Sequence, residues 1–239
     1  MIHTAMIFAA GLGSRLKPFT NHHPKALAVV NGKSLLQRNV EYLLSYGIKN
    51  MVVNVHHFAE QIIDAVHTND GWGANIIISD ESAEVLETGG GLQFAAQHLQ
   101  KAENFVVMNA DILTTLKLTD VIQYHEAHKP LATLATTQRS SSRQLLFTPE
   151  NELCGWQNTV TQEQKMARDT KVFHAAAFSG IHVISNALLN YLQPGKYSMI
   201  DVYLELAKNH SIHAFDHSDS ILLDVGKPES LEKAQTLFA

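Results

Sequence analysis

Cysteine occurs once in the 239 residues, at Cys154, which excludes an intrachain disulfide. A lone free cysteine is most often a small buried apolar residue. Charge is sparse: Asp, Glu, Lys and Arg make up 17% of the chain, the formal net charge is −5, and Lys and Arg form no run. A strongly basic face for nucleic acid is thereby excluded. Long apolar runs are also missing, and none approaches the ~20 residues that a membrane span needs. The start, Met1-Ile2-His3-Thr4, lacks the basic region of a secretory leader. The expectation is a soluble cytoplasmic protein with neither membrane nor nucleic acid as partner. Fourteen histidines are scattered without metal-ligand spacing. The neighbours in His22-His23 and His56-His57 point in different directions on any regular element. Repeats and low-complexity linkers are absent, and the 45% apolar content is ordinary, so there is material for a buried core and no sign of disorder.

What is present is concentrated in short segments. Ala5 to Phe8 reads as a first strand, and Ala9-Ala10-Gly11-Leu12-Gly13-Ser14-Arg15-Leu16 follows it directly. A glycine-rich turn at the end of a strand exposes backbone N–H groups and lets a polyphosphate approach the main chain. Arg15 and Lys25 supply positive charge, and Pro24 restricts His23 to extended conformations that stiffen the approach. A dinucleotide-binding loop needs a third glycine where Leu16 stands, and a Walker loop needs Gly-Lys-Ser/Thr, so this is a phosphate cradle of a different kind. Leu16, Phe19 and Leu27 are expected to anchor it to the core.

Strand and helix patterns then alternate. Ser34 to Tyr46 is helical, with Ser34 and Gln37 as a capping box and Gly47 as the stop. Met51 to Val55 is a strand, Phe58 to Val66 a helix, Ala74 to Ser79 a strand, Gly91 to Leu99 a helix, and Phe105 to Met108 a strand. Helix Thr119 to His128 and strand Leu131 to Ala135 follow. This alternation predicts a mostly parallel α/β sheet flanked by helices, Rossmann-like, with ligands at the carboxyl ends of the strands. Residues 138–174 read as a β-rich insertion over part of that pocket, with strands Leu145 to Phe147, Glu152 to Trp156 and Val172 to Phe178 around a polar stretch from Thr159 to Thr170. Helices Asn186 to Leu192 and Met199 to Lys208, a strand at Leu222-Leu223 and a helix from Pro228 to Leu237 close the chain. One domain over 1–239 is expected.

Five segments in order resemble the sugar-1-phosphate nucleotidylyltransferases, most of all the N-acetylmuramate-1-phosphate uridylyltransferase group. They are Gly11-Leu12-Gly13-Ser14-Arg15-Leu16 with Pro24-Lys25-Ala26-Leu27 and Gly32-Lys33-Ser34-Leu35-Leu36; Leu86-Glu87-Thr88-Gly89-Gly90-Gly91; Asn109-Ala110-Asp111; Phe178-Ser179-Gly180-Ile181; and Leu223-Asp224-Val225-Gly226. The resemblance implies the nucleotide-diphospho-sugar transferase fold, here without the β-helix extension of larger members. It implies transfer of a nucleotidyl group from a nucleoside triphosphate, UTP favoured, to a sugar 1-phosphate such as N-acetylmuramate 1-phosphate. A GTP-dependent mannose- or heptose-type enzyme and a catalytically silent nucleotide-sugar sensor are the alternatives; a sensor has no need to retain Arg15, Lys25, Asp111 and Asp224 together. A monomer or small homo-oligomer is expected.

By the same resemblance Arg15 and Lys25 contact phosphates, Asp111 and Asp224 bind Mg²⁺, and all four are catalytic. Both aspartates follow apolar strands, and a parallel sheet can bring two such ends to one edge; a turn or cap is the structural alternative for each. Ala10, Gly11, Leu12, Gly13, Lys25, Glu87, Thr88, Gly89 and Gly90 make the expected nucleotide site. The second glycine cluster reads as a loop that lets a flat base approach, with Thr88 as ligand contact or N-cap. Guanylyl-transferring relatives more often carry glycine where Glu87 stands. Asn109, Arg143, Ser179 and Gly180 make the expected sugar side, with a strand bulge as the alternative for Ser179-Gly180. A clear Glu-Lys-Pro motif is missing from the middle third, where Arg143 or Lys165 substitutes.

Overall fold

The computed structural model describes residues 1–238. Strand β1 (Thr4–Phe8) is followed by short 3₁₀ turns at Ser14–Leu16, Phe19–Asn21 and Lys25–Leu27 and by the ribbon β2 (Val29–Val30) and β3 (Lys33–Ser34). Helix α1 (Leu35–Ser45) starts where Ser34 Oγ accepts the Gln37 N–H at 3.1 Å. The reciprocal half of the expected capping box is not made, because the Gln37 side chain donates to Glu41 at 2.9 Å. Gly47, at φ +78°, turns the chain out of the helix.

Next come β4 (Asn50–Val55), α2 (Ala59–Thr68), β5 (Asn75–Asp80), α3 (Glu87–Leu99), β6 (Asn104–Asn109), β7 (Ile112–Thr114), α4 (Leu118–His128) and β8 (Ala132–Thr137). A hairpin series, β9 (Arg143–Phe147), β10 (Leu153–Asn158) and β11 (Glu163–Met166), leads to the long β12 (His174–Ser185). Helix α5 (Met199–Leu206), β13 (Ile212–Asp216), β14 (Leu222–Asp224) and α6 (Pro228–Leu237) complete the order.

Ten strands form one mixed sheet, in the order β11-β10-β9-β12-β6-β1-β4-β5, with β8 paired to β12 and β13 to β8. Its half made of β6-β1-β4-β5 is parallel throughout, while β12, β9, β10 and β11 pair antiparallel. Residues 138–174 thus extend the central sheet through β9 and β12. Side chains alternate across it. Ala5, Ile7, Val106 and Met108 pack on one face with α1 and α2, and Met6, Phe105 and Val107 on the other with α3 and α5. A third, smaller cluster joins Leu16, Val30, Leu35, Leu113, Val225 and Ala234 beneath the loop that follows β1. Cys154 is buried. No helix among the described residues is long and apolar enough to cross a membrane.

Strands β2, β3, β7 and β13 have no counterpart in the sequence reading, and three further elements differ from expectation. Strand β11 lies inside the stretch read as polar loop; all four of its residues are exposed, so no alternating apolar signal marks it. The segment Asn186–Tyr191 is 3₁₀ and not α-helical, a single short stretch before Pro194. Helix α3 begins four residues early, through the three glycines, because contacts with a distant segment outweigh their poor helix propensity. Replacing the Ser34 cap should show how far α1 relies on it. Ser34→Ala is expected to lower unfolding free energy by about 1 kcal/mol in urea titration, with an unchanged circular dichroism spectrum.

Candidate active site

The chain leaves β1 at Phe8 and bends through Ala9-Ala10-Gly11-Leu12-Gly13, at the carboxyl ends of the parallel strands where α/β sheets take ligands. Gly13 is at φ +62°, and a Cβ there would lie 2.8 Å from Thr20 Cγ2 and 3.0 Å from Lys25 Cβ. Both the backbone and the nearby stem of Lys25 therefore require glycine. Thr20 fixes the turn by donating to the Gly13 carbonyl at 2.9 Å, and Leu16 is buried below it. At Gly11, in contrast, a Cβ would meet nothing within 4 Å; the space above it is open cleft.

Asp111 lies just past β6, and Asp224 is the last residue of β14. They meet through an antiparallel ribbon outside the main sheet: β7 pairs with β14, Ile112 opposite Asp224, and the Val225 N–H donates to the Asp111 carbonyl at 2.8 Å. Asn39, buried in α1, donates to the Ala110 carbonyl at 2.8 Å and steadies the same turn. The expected parallel-sheet edge is not what joins the two aspartates.

Lys25 reaches between the carboxylates. Its ammonium pairs with Asp111 Oδ2 and lies 3.9 Å from Asp224 Oδ1. Arg15 Nη2 lies 3.7 Å from Asp224 Oδ2. The Lys25 side chain is only 12% exposed against 60% for Arg15, so the first is the firmer contact and the second contributes little by itself. Gly226 leaves room for this cluster, since a Cβ there would sit 2.6 Å from Asp224 Oδ1 and 2.9 Å from Arg15 Nη2. Asp224 Oδ1 is buried without a hydrogen-bond partner. Among the described residues no three His, Cys, Asp or Glu side chains converge as a metal-ligand group. Two carboxylates around one positive charge, with an acceptor oxygen open, fit a hard divalent cation that takes its other ligands from phosphate oxygens and water.

A cleft of about 280 Å³ runs from this cluster past Gly13, Asn109 and Phe8. It adjoins a second of about 330 Å³, lined by Ala10, Asn54, Val85, Glu87 and Ser198; Phe8, Gly11 and Thr88 border both.

Residues 4–239 match the family described as nucleotidyl transferase. The chain belongs to this family. It is 28% identical over 233 residues to an N-acetylmuramate alpha-1-phosphate uridylyltransferase of Neisseria meningitidis serogroup B, covering 98% of this chain and 97% of the relative. To a protein of the same description from Caulobacter vibrioides it is 41% identical over 104 residues, 43% of each chain. A mannose-1-phosphate guanyltransferase of Schizosaccharomyces pombe is 26% identical over 240 residues, 98% of this chain but only 64% of that protein. The chain thus spans less than two thirds of some of these relatives. The crystal structure of HddC from Yersinia pseudotuberculosis matches over the full length of both chains, with TM-score 0.81 at 22% identity, which shows the shared fold.

Within this nucleotidyl transferase the residues expected from sequence fall into three groups. Gly11, Gly13, Arg15, Lys25, Asn109 and Asp111 line the first cleft, and Asp224 contacts Arg15 and Lys25 at its end. Ala10, Glu87 and Thr88 line the second, while Leu12 is 54% exposed and lines neither. Thr88 is not the N-cap of α3; its Oγ1 accepts the Met199 N–H at 2.9 Å and ties α3 to α5. Glu87 adopts φ +59°, a conformation that favours glycine.

Gly89 and Gly90 line neither cleft. Both are buried in the first turn of α3, and their N–H groups donate to the Tyr197 carbonyl at 2.8 and 3.3 Å. A Cβ at Gly89 would lie 2.4 Å from the Tyr197 ring, and one at Gly90 2.0 Å from the Gly195 carbonyl oxygen. The glycines thus let the segment at Gly195 and Tyr197 pack directly on the helix. Ser179 is buried and lines neither cleft, and its Oγ shares a 2.7 Å hydrogen bond with His217 Nε2, an imidazole whose pKa burial lowers. Gly180, at φ +75° in a bulge of β12, leaves space for Asn109; a Cβ would lie 2.6 Å from Asn109 Nδ2. Arg143 lies outside both clefts, in a depression of about 230 Å³ with Trp156, Asn158 and Lys165, which meets the second cleft at Ser198.

Sequence reasoning missed Asn54, Ser198 and Glu81. Asn54 interrupts the apolar run Met51-Val52-Val53 and is buried; a polar residue in a buried strand was the available signal. Ser198 precedes α5 as its cap and accepts the Ile200 N–H at 3.1 Å. Gly90→Ala is expected to lower stability by about 1–3 kcal/mol, as overpacking does, in urea titration. Loss of nucleotide affinity in a variant of wild-type stability would instead return Gly90 to the ligand.

Proposed function

We propose that this protein transfers a nucleotidyl group from a nucleoside triphosphate to a sugar 1-phosphate. A phosphate oxygen of the sugar attacks the α-phosphorus, the bond to the β-phosphate oxygen breaks, and pyrophosphate leaves. The observation that carries this reading is the meeting of Arg15, Lys25, Asp111 and Asp224 at one end of two adjoining clefts that begin on a glycine loop. Both reactants are anionic, so charge neutralisation and alignment supply most of the acceleration.

Asp111 and Asp224 would hold Mg²⁺, which when bound neutralises phosphate oxygens. Lys25, enclosed and already oriented, holds a phosphate at the reacting centre. Arg15, largely exposed, is free to follow the outer phosphates and the charge that develops on pyrophosphate. The open space over Gly11 and the wall formed by Asn54, Val85, Glu87 and Thr88 take the base and ribose. Asn109 and Gly180 border the acceptor, and the depression at Arg143 and Trp156, joined through Ser198, accepts the far side of the sugar. UTP and an amino-sugar 1-phosphate such as N-acetylmuramate 1-phosphate are the substrates we favour, supported by the Neisseria relative matched along nearly all of both chains. GTP with a mannose-type acceptor is the second reading, supported by the Schizosaccharomyces relative.

Asp111→Asn and Asp224→Asn are each expected to cut turnover at least about a hundredfold, the order of removing one transition-state charge stabiliser. Pyrophosphate release in Mg²⁺ measures this, with circular dichroism to establish the fold. Near-normal release by either variant removes the metal assignment.

Four nucleoside triphosphates crossed with several sugar 1-phosphates decide the base. UTP is expected to give the highest kcat/KM by about tenfold, equal to ~1.4 kcal/mol, which one well-placed hydrogen bond in a partly dry site provides. A lead for GTP replaces the uridylyl reading with the guanylyl one.

A further inference from the structure

We propose that the buried Glu81–Asn54 pair is the positioning device of the nucleotide cleft: the Glu81 carboxylate decides which way the Asn54 amide faces, and through it where the glycine loop begins. The proposal rests on the nucleotide reading of the clefts.

The chain of contacts is short and largely buried. Ala9, the first residue after β1, donates its N–H to Asn54 Oδ1 at 2.8 Å, and Asn54 Nδ2 donates to Glu81 Oε1 at 2.8 Å. Asn54 is 2% exposed and Glu81 3%. The two ends of a carboxamide have nearly the same shape but opposite hydrogen-bonding character, so packing alone does not choose between them. A carboxyl oxygen without a proton, as Oε1 is in this pair, only accepts. Set beside Asn54, it requires the NH₂ on its own side and leaves the oxygen for Ala9. In the reverse orientation two donors would face each other at Ala9 and two acceptors at Glu81, each unpaired in a dry site.

Glu81 is itself held by the backbone. Its N–H donates to the Val55 carbonyl at 2.8 Å, and its own carbonyl accepts the Glu84 N–H at 3.1 Å and bonds His56 Nδ1 at 2.7 Å. The pair also explains the third glycine of α3. A Cβ on Gly91 would lie 2.7 Å from Glu81 Oε1 and 2.9 Å from Asn54 Nδ2, so the helix packs directly on the hydrogen bond. One carboxylate therefore fixes the start of the phosphate loop, the Asn54 wall of the second cleft and the seat of the helix that presents Glu87 and Thr88. Glu81 lines neither cleft, so it acts through Asn54 and does not touch substrate.

Reversing the polarity of the pair tests this. Asn54→Asp sets two carboxylates face to face. It is expected to raise the KM for UTP about tenfold with kcat within about threefold, the pattern of lost uniform binding. It should also speed hydrogen exchange at the Ala9 amide about tenfold, a local opening. Adding Glu81→Gln lets the new carboxamide donate to the new carboxylate, which still accepts from Ala9. The double variant is expected to return both quantities to within about threefold of wild type. Glu81→Leu, which removes the acceptor without adding charge, is expected to raise the KM for UTP as Asn54→Asp does, and decides the matter if that variant does not fold. A double variant as impaired as Asn54→Asp, or an unchanged KM in both single variants, overturns the proposal. If wild-type protein turns over no nucleotide, the activity reading fails, and Ala9 exchange across the same variants still decides the pair.

Discussion

The Lys25 ammonium between the Asp111 and Asp224 carboxylates is the contact around which the rest of the site is arranged. Two carboxylates side by side repel, and an opposite unit charge about 4 Å away offsets this by about 1–4 kcal/mol between bulk water and a protein surface. The fold has to bring three residues from three distant parts of the chain to one point. It does so with backbone: the β7–β14 ribbon, the Val225 N–H on the Asp111 carbonyl, and Asn39 on the carbonyl of Ala110. The small core of Leu16, Val30, Leu35, Leu113, Val225 and Ala234 lies under that point and links the loop of Arg15 to the strand of Asp224. Glycine at 13 and at 226 lets the charged groups close up. The catalytic reading needs each of these parts, although of them only Gly13, Ala110 and Gly226 line the cleft.

Local signals in the sequence served well where the physics is local. The β1 strand, the α1 cap at Ser34, the Gly47 stop and the Pro228 start depend on neighbours within a turn or two. Long-range contacts were less visible. Gly89 and Gly90 read as an approach for a base because successive glycines allow one, yet the occupant is the segment at Gly195 and Tyr197, far along the chain. The resemblance puts Ser179 on the sugar side with a strand bulge as the alternative; the structure has the bulge, and the hydroxyl meets His217. Asp111 and Asp224 were paired correctly for an incomplete reason. Strands β7 and β14 have three residues each, too few to carry a pattern.

The polar pair at Glu81 and Asn54 shows why buried polar residues are informative. Burial raises the Glu81 carboxyl above its ordinary value, while Asn54 and the Leu86 backbone favour the charged form. Glu81 Oε1 accepts from Asn54, while Oε2 is buried with no hydrogen-bond partner, a cost that a buried acid ordinarily avoids. Here the partner is an asparagine in an otherwise apolar strand. A single polar residue in Met51-Val52-Val53-Asn54-Val55 was the one local mark that this strand does more than fill the sheet.

Charge balance also constrains how substrates enter. Arg15 and Lys25 offset Asp111 and Asp224, so the cluster at the end of the first cleft carries no formal excess of positive charge. Under the proposed activity two phosphorylated reactants meet there. A neutral cluster attracts neither strongly, and Lys25 cannot serve a phosphate fully while its ammonium is committed to two carboxylates. Additional positive charge has to arrive with the nucleotide. A divalent cation held by Asp111 and Asp224 would meet that need, compensating phosphate charge and leaving Lys25 free to face the phosphates. Asp224 Oδ1, 3.9 Å from the Lys25 ammonium and accepting no hydrogen bond, is the acceptor such an exchange would use, and the exposed guanidinium of Arg15 is the charge free to move with the leaving group.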